Sequence, residues 1–341
     1  MPDLMPDLMP DLAPELVPDA VPDPAPGAPP SPPRVVVVGD VINDVLVRPL
    51  GPVVRDTDTR AQIVRRPGGS AANLASWLAS LGDAVTFVGR VGALDHDLHA
   101  ARLAGLGIDP YLAADPERET GTIVVIVDAD GGRTMLTDRG ANVALTPDDV
   151  PPDVLDGAAL LHLSGYTLFE EPARGTALGL MAAARAAGVP VSVDPSSVAF
   201  LQDVGPQQFL AWTAGASLVF PNRDEAALLA GTADPVEAAR GLCAHYGTVV
   251  VTLDADGAVV ARRGEEPVAL PAQRVHAVDT TGAGDAFCAG FLTTWLRADD
   301  PVGAAAAGMA IARECVLRLG GGPVGPRSQD AGTRADPAGG W

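Results

Sequence analysis

The sequence predicts an α/β fold, a parallel sheet with helices on both faces. Short β-branched runs recur along the chain, and Ala/Leu-rich helical stretches lie between them. Hydrophobic residues make up 47% of the 341 and aromatics 4%, so a sizeable core must be built from Ala, Val and Leu. That length suits one large α/β domain or two smaller ones.

Residues 1–33 read as a disordered, extended tail. Met-Pro-Asp-Leu occurs three times, then decays through Ala-Pro-Glu-Leu and Val-Pro-Asp-Ala into Pro, Ala and Gly. Proline at every fourth position removes backbone donors. The acids repel one another, and apolar surface is too sparse to offset ordering. An acidic docking arm is the functional alternative.

Order begins at Arg34. Val35-Val36-Val37-Val38 before Gly39-Asp40 fits a buried parallel strand ending in a turn. Similar runs lie at 84–88, 160–163, 189–193, 217–220 and 248–253, and helical stretches at 71–81, 174–187, 224–229 and 235–245. Ligands of such sheets sit at the carboxyl ends of the strands. Two stretches break the alternation. Residues 59–65 alternate polar with apolar, and 120–128 and 133–137 flank Asp128-Ala129-Asp130-Gly131-Gly132, a hairpin signal. The expectation is a small antiparallel sheet, with segments at about 53–67 and 119–138, that closes over a site as a lid and excludes water. A hairpin decorating the core edge is the plainer alternative. Residues 327–341 read as a flexible C-terminal tail.

The formal net charge of −20 argues against nucleic acid and anionic membranes, which need Lys and Arg to neutralise phosphate. Cys243, Cys288 and Cys315 are isolated, which points to a reducing compartment without a disulfide framework. Asp95-His96-Asp97 with His99 resembles a metal set but reads better as a solvated helix start. No apolar run approaches the roughly 20 residues of a membrane helix. The N-terminus lacks the basic and apolar regions of a secretory signal. A cytoplasmic location is expected.

The most informative string is Asp279-Thr280-Thr281-Gly282-Ala283-Gly284-Asp285, followed by a helical apolar run. A Gly-rich turn opening a helix aims unpaired N–H groups at one spot, and the helix dipole adds positive charge there. A carboxylate beside an anion cradle repels a phosphate that is only being bound. It makes sense as the acceptor of a proton from a hydroxyl that attacks that phosphate. A tight turn with an Asp cap is the structural alternative. Upstream, Gly68-Gly69 runs into a helix that carries Asn73, a pattern for close ligand approach and polyol hydrogen bonding, or for a simple turn. Asp44, after the first strand, suits two sugar hydroxyls; Asp40 and Asn43 compete for that role, and at least one of the three is turn chemistry. Asn222 and Glu225 have capping-box spacing and also suit a hydrated Mg²⁺ near phosphates.

In this order, Gly68-Gly69 with Asn73, Asn222-x-x-Glu225 and the 279–285 string resemble the ribokinase-like (PfkB) carbohydrate kinases. Gly140-Ala141-Asn142 followed by Leu145-Thr146-Pro147 is similar to another recurring piece of that family. The resemblance covers 34–326. It implies an ATP-dependent phosphotransferase with an alcohol group as acceptor, a small sugar or sugar derivative. It further implies a Rossmann-like, mostly parallel sheet and a β-sheet lid. By resemblance, Asp285 is the base, and Gly282, Ala283 and Gly284 form the anion hole. Asn222 and Glu225 organise Mg²⁺ and phosphate, and Thr252 lies at ATP. Asp44, Gly69 and Asn73 contact the sugar. Asp279 and Thr281 match positions near a monovalent-cation site, with K⁺ the candidate. Lid sheets in the family often pair between subunits, which implies a homodimer.

Several positions depart from the family. Asp254 stands where many members have Gly in Thr-Leu-Gly. Ribokinase itself carries Asn, Lys and Glu where Ile42, Ser70 and Ser164 stand, so polar reach toward a pentose is reduced. The expectation moves from ribose to another sugar, a sugar acid or a nucleoside. For a nucleoside, Tyr166 and Phe169 are candidate stacking partners. A non-catalytic sugar- or nucleotide-binding regulator is the remaining alternative, and retention of Asp285 argues against it.

Overall fold

The computed structural model describes residues 31–127, 132–318 and 320–323. The expected tails at 1–33 and 327–341 lie wholly or almost wholly outside these residues, as does most of the hairpin turn at 128–132.

The chain opens with β1 (Arg34–Val38), β2 (Ile42–Pro49), β3 (Ala61–Gly68), α1 (Ser70–Ser80), β4 (Ala84–Gly92), α2 (His96–Gly105) and β5 (Ile108–Asp115). It continues with β6 (Thr120–Val127), β7 (Arg133–Gly140), β8 (Leu160–Ser164), α3 (Ala173–Ala186), β9 (Val191–Asp194), α4 (Val198–Val204) and α5 (Pro206–Thr213). Then come β10 (Leu218–Val219), α6 (Arg223–Ala230), α7 (Pro235–Leu242), β11 (Thr248–Thr252), β12 (Ala258–Arg262), β13 (Val268–Leu270), α8 (Ala283–Ala298) and α9 (Pro301–Val316).

The large sheet has the order β13-β12-β11-β10-β9-β8-β1-β4-β5. From β11 to β5 every neighbouring pair is parallel, and β12 and β13 extend the edge by antiparallel pairing. The valine run of β1 shows why it lies centrally. Val36 and Val38 belong to one core cluster and Val35 and Val37 to the other, all fully buried, as alternation across a two-sided sheet requires. Burying each such side chain contributes roughly 1.5–3 kcal/mol relative to exposure. Residues of α3, α5, α6 and α7 complete the first cluster, and residues of α1, α2, α8 and α9 complete the second.

The small sheet has the order β3-β2-β6-β7. The expected hairpin β6–β7 is there, antiparallel, and so is β3. The expectation of a purely antiparallel sheet fails, because β2 pairs with β6 in parallel. The chain leaves β1 at Gly39 and enters the small sheet almost at once, so Asp44 sits inside β2 rather than in a turn after β1. Residues 53–60 of the expected lid segment lie outside its strands. The Asp95–His99 region does begin a helix, α2. Its start is not merely solvated: Asp95 accepts hydrogen bonds from Asn43 of β2 and Thr120 of β6 and contacts His99, which is buried. This network ties the base of the small sheet to the core.

Candidate active site

Polar residues gather at the carboxyl ends of the central strands: Asp40 after β1, Ser164 and Asp194 ending β8 and β9, Asn222 after β10 and Thr252 ending β11. The strand order reverses direction around β1, where the chain proceeds to β4 on one side and β8 on the other. In such sheets that reversal opens a crevice for ligands.

The amino end of α1 forms one wall. Gly69 has φ 103°, and a β-carbon there would stand 2.5 Å from the Asp40 carbonyl, so only glycine fits. Lacking a side chain, Gly69 cannot cap α1. Asp40 does so instead, with its carboxylate accepting from the Ser70 and Ala71 N–H groups at 3.3 Å. Ser70 and Asn73 thereby face α8. The Ser70 hydroxyl donates to Asp285 Oδ1 at 2.7 Å, and Asn73 Nδ2 donates to Asp285 Oδ2 at 3.1 Å.

The opposite wall is the turn into α8. Gly282, in the left-handed region at φ 74°, precedes the helix, and Asp285 lies in its first turn. A β-carbon on Gly282 would strike the Gly321 backbone. Ala283 N–H turns back to the Thr280 carbonyl at 3.3 Å. The N–H groups of Gly282 and Gly284 have no partner among the described residues, so they are the open donors of the cradle. Asp279, also buried, accepts from Thr281 N–H and Gly320 N–H, each at 3.0 Å. Trp77 donates to the Gly321 carbonyl at 2.8 Å. The Gly320–Gly321 segment is thus clamped against the cradle from α1 and from Asp279.

Electrostatically the crevice is a cluster of acids. Burial pushes the Asp285 carboxyl well above its usual range; the Ser70 and Asn73 donors oppose the shift, and Asp194 and Asp40 add to it. Burial also raises Asp194 and Asp44 to about 6, and Asp40 adds to both shifts. Burial, with the charge of Asp194 adding, raises Glu225 to about 8. Asn222 and Glu225 form a reciprocal capping box at the start of α6: Asn222 Oδ1 accepts from Asp224 and Glu225 N–H, and Glu225 Oε2 accepts from Asn222 N–H. Thr252 lies beside them, its N–H bonded to the Pro221 carbonyl at 3.0 Å. Among the described residues no group of three or more His, Cys, Asp or Glu side chains is arranged to hold a metal directly. A shallow depression lined by Ser217, Gly247, Thr248 and Arg263 opens at the amino ends of β10 and β11, away from this crevice.

The family model for pfkB family carbohydrate kinases matches residues 32–326. A fructokinase of Klebsiella pneumoniae is 32% identical over 83% of this chain and 91% of its own length. An ATP-dependent ribose-1-phosphate kinase of Halopiger xanaduensis is 34% identical over 78% of this chain and 86% of its own. The crystal structure of aminoimidazole riboside kinase from Salmonella enterica, complexed with aminoimidazole riboside and an ATP analogue, superposes with a TM-score of 0.70 at 27% identity. It covers 84% of this chain and 95% of that one.

The chain belongs to the pfkB family of carbohydrate kinases. It is an ATP-dependent phosphotransferase, and its acceptor is a sugar or sugar derivative.

Of the residues singled out from the sequence of this PfkB kinase, Asn73 meets Asp285 directly, and Gly69 directly precedes Ser70, the other donor to that carboxyl. Gly282, Ala283 and Gly284 adjoin them. Asp44 lies on the small sheet and senses Asp40. Asn222, Glu225 and Thr252 form a second group, joined to Asp285 through Asp194, which raises the carboxyls of both. Asp279 and Thr281 brace the cradle. Neither stacking candidate offers a free face in the expected way. Phe169 is core, its ring 5.2 Å from that of Phe200 at an interplanar angle of 15°, and Tyr166 carries the Arg139 guanidinium on its ring at 4.2 Å.

Sequence reasoning missed Ser70 as a partner of Asp285, and missed Asp194, Arg139 and the Gly320–Gly321 segment. An acid directly ending a parallel strand, as in Val191-Ser192-Val193-Asp194, was the available signal for Asp194. Three consecutive glycines after the last helix were the signal for a close backbone approach.

Proposed function

We propose that this PfkB kinase transfers the γ-phosphoryl group of Mg·ATP to a hydroxyl of a small sugar derivative, with Asp285 as general base. The observation that carries this is the pairing of a buried, proton-seeking carboxyl with the open N–H groups of Gly282 and Gly284 on the same turn. Asp285 takes the acceptor hydroxyl's proton as that oxygen forms its bond to the γ-phosphorus. The bond from phosphorus to the bridging β–γ oxygen breaks, and ADP leaves with the electron pair. The cradle N–H groups, with the α8 dipole, stabilise charge on the transferring group. Ser70 and Asn73 hold the Asp285 carboxylate in line. Asp44, with Gly69 and Asn73, binds acceptor hydroxyls, and the small sheet acts as the lid that excludes water.

Glu225, buried, and Asp194, half-buried at the end of β9, fit Mg²⁺: both carboxyls are raised in pKa, the charge of Asp194 adds to the rise at Glu225, and carboxylates are the hard oxygen donors such a cation takes, directly or through water. When bound, the metal neutralises phosphate charge. Asn222 and Thr252 lie beside these carboxyls at the nucleotide end. Asp279 and Thr281 are the positions for K⁺, and the buried Asp279 carboxylate supports that reading. The outer face of the small sheet carries Val45, Val47, Val124 and Ile126, with Ile63 and Leu136 exposed at its edges, and this apolar surface suits a homodimer through the lid. No described helix is long and apolar enough to cross a membrane, and the acidic net charge suits a cytoplasmic enzyme with no nucleic-acid partner.

ADP release tests the reading. The purified full chain is given Mg·ATP and a panel of hexoses, pentoses, sugar acids, sugar phosphates and nucleosides, with and without K⁺. Acceptor-dependent ADP formation is expected. Tight ligand binding with no ADP from any acceptor would favour a binding protein instead.

A further inference from the structure

Arg139, at the end of β7, is only 8% exposed. Its Nη1 is enclosed without a hydrogen-bond partner, and none of its side-chain donors bonds to a described residue. Its ionic neighbour is Asp40, 3.6 Å away. That is too long for a hydrogen bond. The Asp40 carboxylate is in any case committed to the amides of Ser70 and Ala71. The guanidinium rests on the Tyr166 ring at 4.2 Å. Burying a guanidinium with its donors unused is costly, and such a group in a native fold calls for a partner.

The strand register says where it stands. Thr120 pairs with Gly140 and Thr122 with Asp138, which puts Arg139 opposite Gly121. Gly121 lies beside Ile42, and Ile42 beside Gly68. Two residues along the same strands, Asp44 lies opposite Arg66. Side chains two apart share a face, so Arg139, Asp44 and Arg66 look the same way, with the Asp44 carboxylate lying over Gly68 and the side chains of Ile42 and Asn142 over Gly121. This is the face toward the core, because Arg139 reaches Asp40, and Tyr166 beneath it senses both Asp40 and Asp285.

Three of the crevice acids have donors of their own. Asp285 is held by Ser70 and Asn73, Asp194 by the Ser196 N–H, and Glu225 by the Asn222 N–H. Arg139 keeps a buried planar fork of unused donors, whose shape matches the paired oxygens of a carboxylate or phosphate, whereas Arg66 on the same face is only half-buried. Asp40 balances the charge without a hydrogen bond, and a neutral hydroxyl would fill at most one position of the fork.

The geometry points to an acceptor that carries an acid group, a carboxylate or a phosphate monoester, seated on Arg139 with its reacting hydroxyl toward Asp285. This rests on the kinase reading given above. The test compares matched acceptors with the full chain and Mg·ATP: neutral hexoses and pentoses against their aldonic and 2-keto acids and against their monophosphates. ADP release is measured for wild type, Arg139→Met and Arg139→Lys, and acceptor binding is measured separately by thermal shift without nucleotide.

One acid class is expected to exceed its neutral parent by about a hundredfold or more in kcat/KM. Arg139→Met should erase that ratio, chiefly through KM, while Arg139→Lys keeps part of it. Which acid class wins separates carboxylate from phosphate. Neutral sugars used as well as their acids, or an acid preference that survives Arg139→Met, would overturn the inference. Should Arg139→Met fail to fold, the wild-type ratio and the Lys variant still decide. If no acceptor yields ADP, the kinase reading fails on its own, and the thermal shifts judge the site. Acids that stabilise wild type but not Arg139→Met uphold it; acids that stabilise neither refute it.

Discussion

Replacing Ser70 by Ala removes one donor from the Asp285 carboxylate and little else. The hydroxyl gives Asp285 Oδ1 a hydrogen bond of 2.7 Å in a buried setting. A hydrogen bond to a charged group is worth about 1.5–3 kcal/mol. It favours the ionised form, so its loss raises the Asp285 pKa above an already elevated value. At 1.36 kcal/mol per unit, the rise is about 1–2 units. Asp285 must be ionised to accept a proton, so the acid limb of kcat/KM against pH should move upward by about that amount. Below the limb, the variant should be about tenfold slower or worse. Well above it, where both forms are ionised, the rates should converge. ADP release between pH 5 and 9, with the best acceptor from the panel, measures this. An acid limb that stays put or moves downward would refute both the hydrogen bond's role and the place of Asp285 in the reaction.

Gly282→Ala puts a β-carbon against the Gly321 backbone at a φ of 74°. The left-handed conformation alone costs about 1–2 kcal/mol. A melting point lowered by several degrees is expected, with kcat down about a hundredfold because the cradle shifts; calorimetry and ADP release check both. Asp254 holds φ 52°, the backbone that the family's usual glycine takes freely. Asp254→Gly should therefore stay within about 1 kcal/mol of wild type in urea denaturation, whereas Asp254→Val should lose about 1–2 kcal/mol. Asp44, Asp194 and Glu225 have folded pKa values raised to about 6, 6 and 8. The folded state thus holds protons that the unfolded state has released. The stabilisation from these groups is complete below pH 4 and is lost as pH climbs to about 8. Without nucleotide or metal the melting point should fall across that window, and millimolar Mg²⁺ should flatten the fall at its upper end.

Much of the large sheet was legible because its strands are short β-branched runs with no polar interruption, as in Val35–Val38 and 248–252. β2 was not legible. Asn43 and Asp44 interrupt its start and Arg48-Pro49 its end, so the local chemistry reads as turn, and only pairing on both edges makes it a strand. The proposed base and its cradle were legible as neighbours, since the 279–285 string carries both in consecutive residues. Their supports were not. Ser70 lies 215 positions from Asp285, and a lone serine shows nothing of what it meets across such a separation. Arg139 lay just beyond the strand expected at 133–137 and drew no reading, and only the fold reveals that it is on β7 and buried.

Asp285→Asn tests the central claim most directly, since it keeps shape and size but cannot take a proton. ATP affinity by titration calorimetry should stay within a few fold of wild type, while acceptor-dependent ADP release falls by about a thousandfold. An Asn variant that turns over at near wild-type rate would show that the proton goes elsewhere, and the mechanism built on this carboxyl would have to be abandoned.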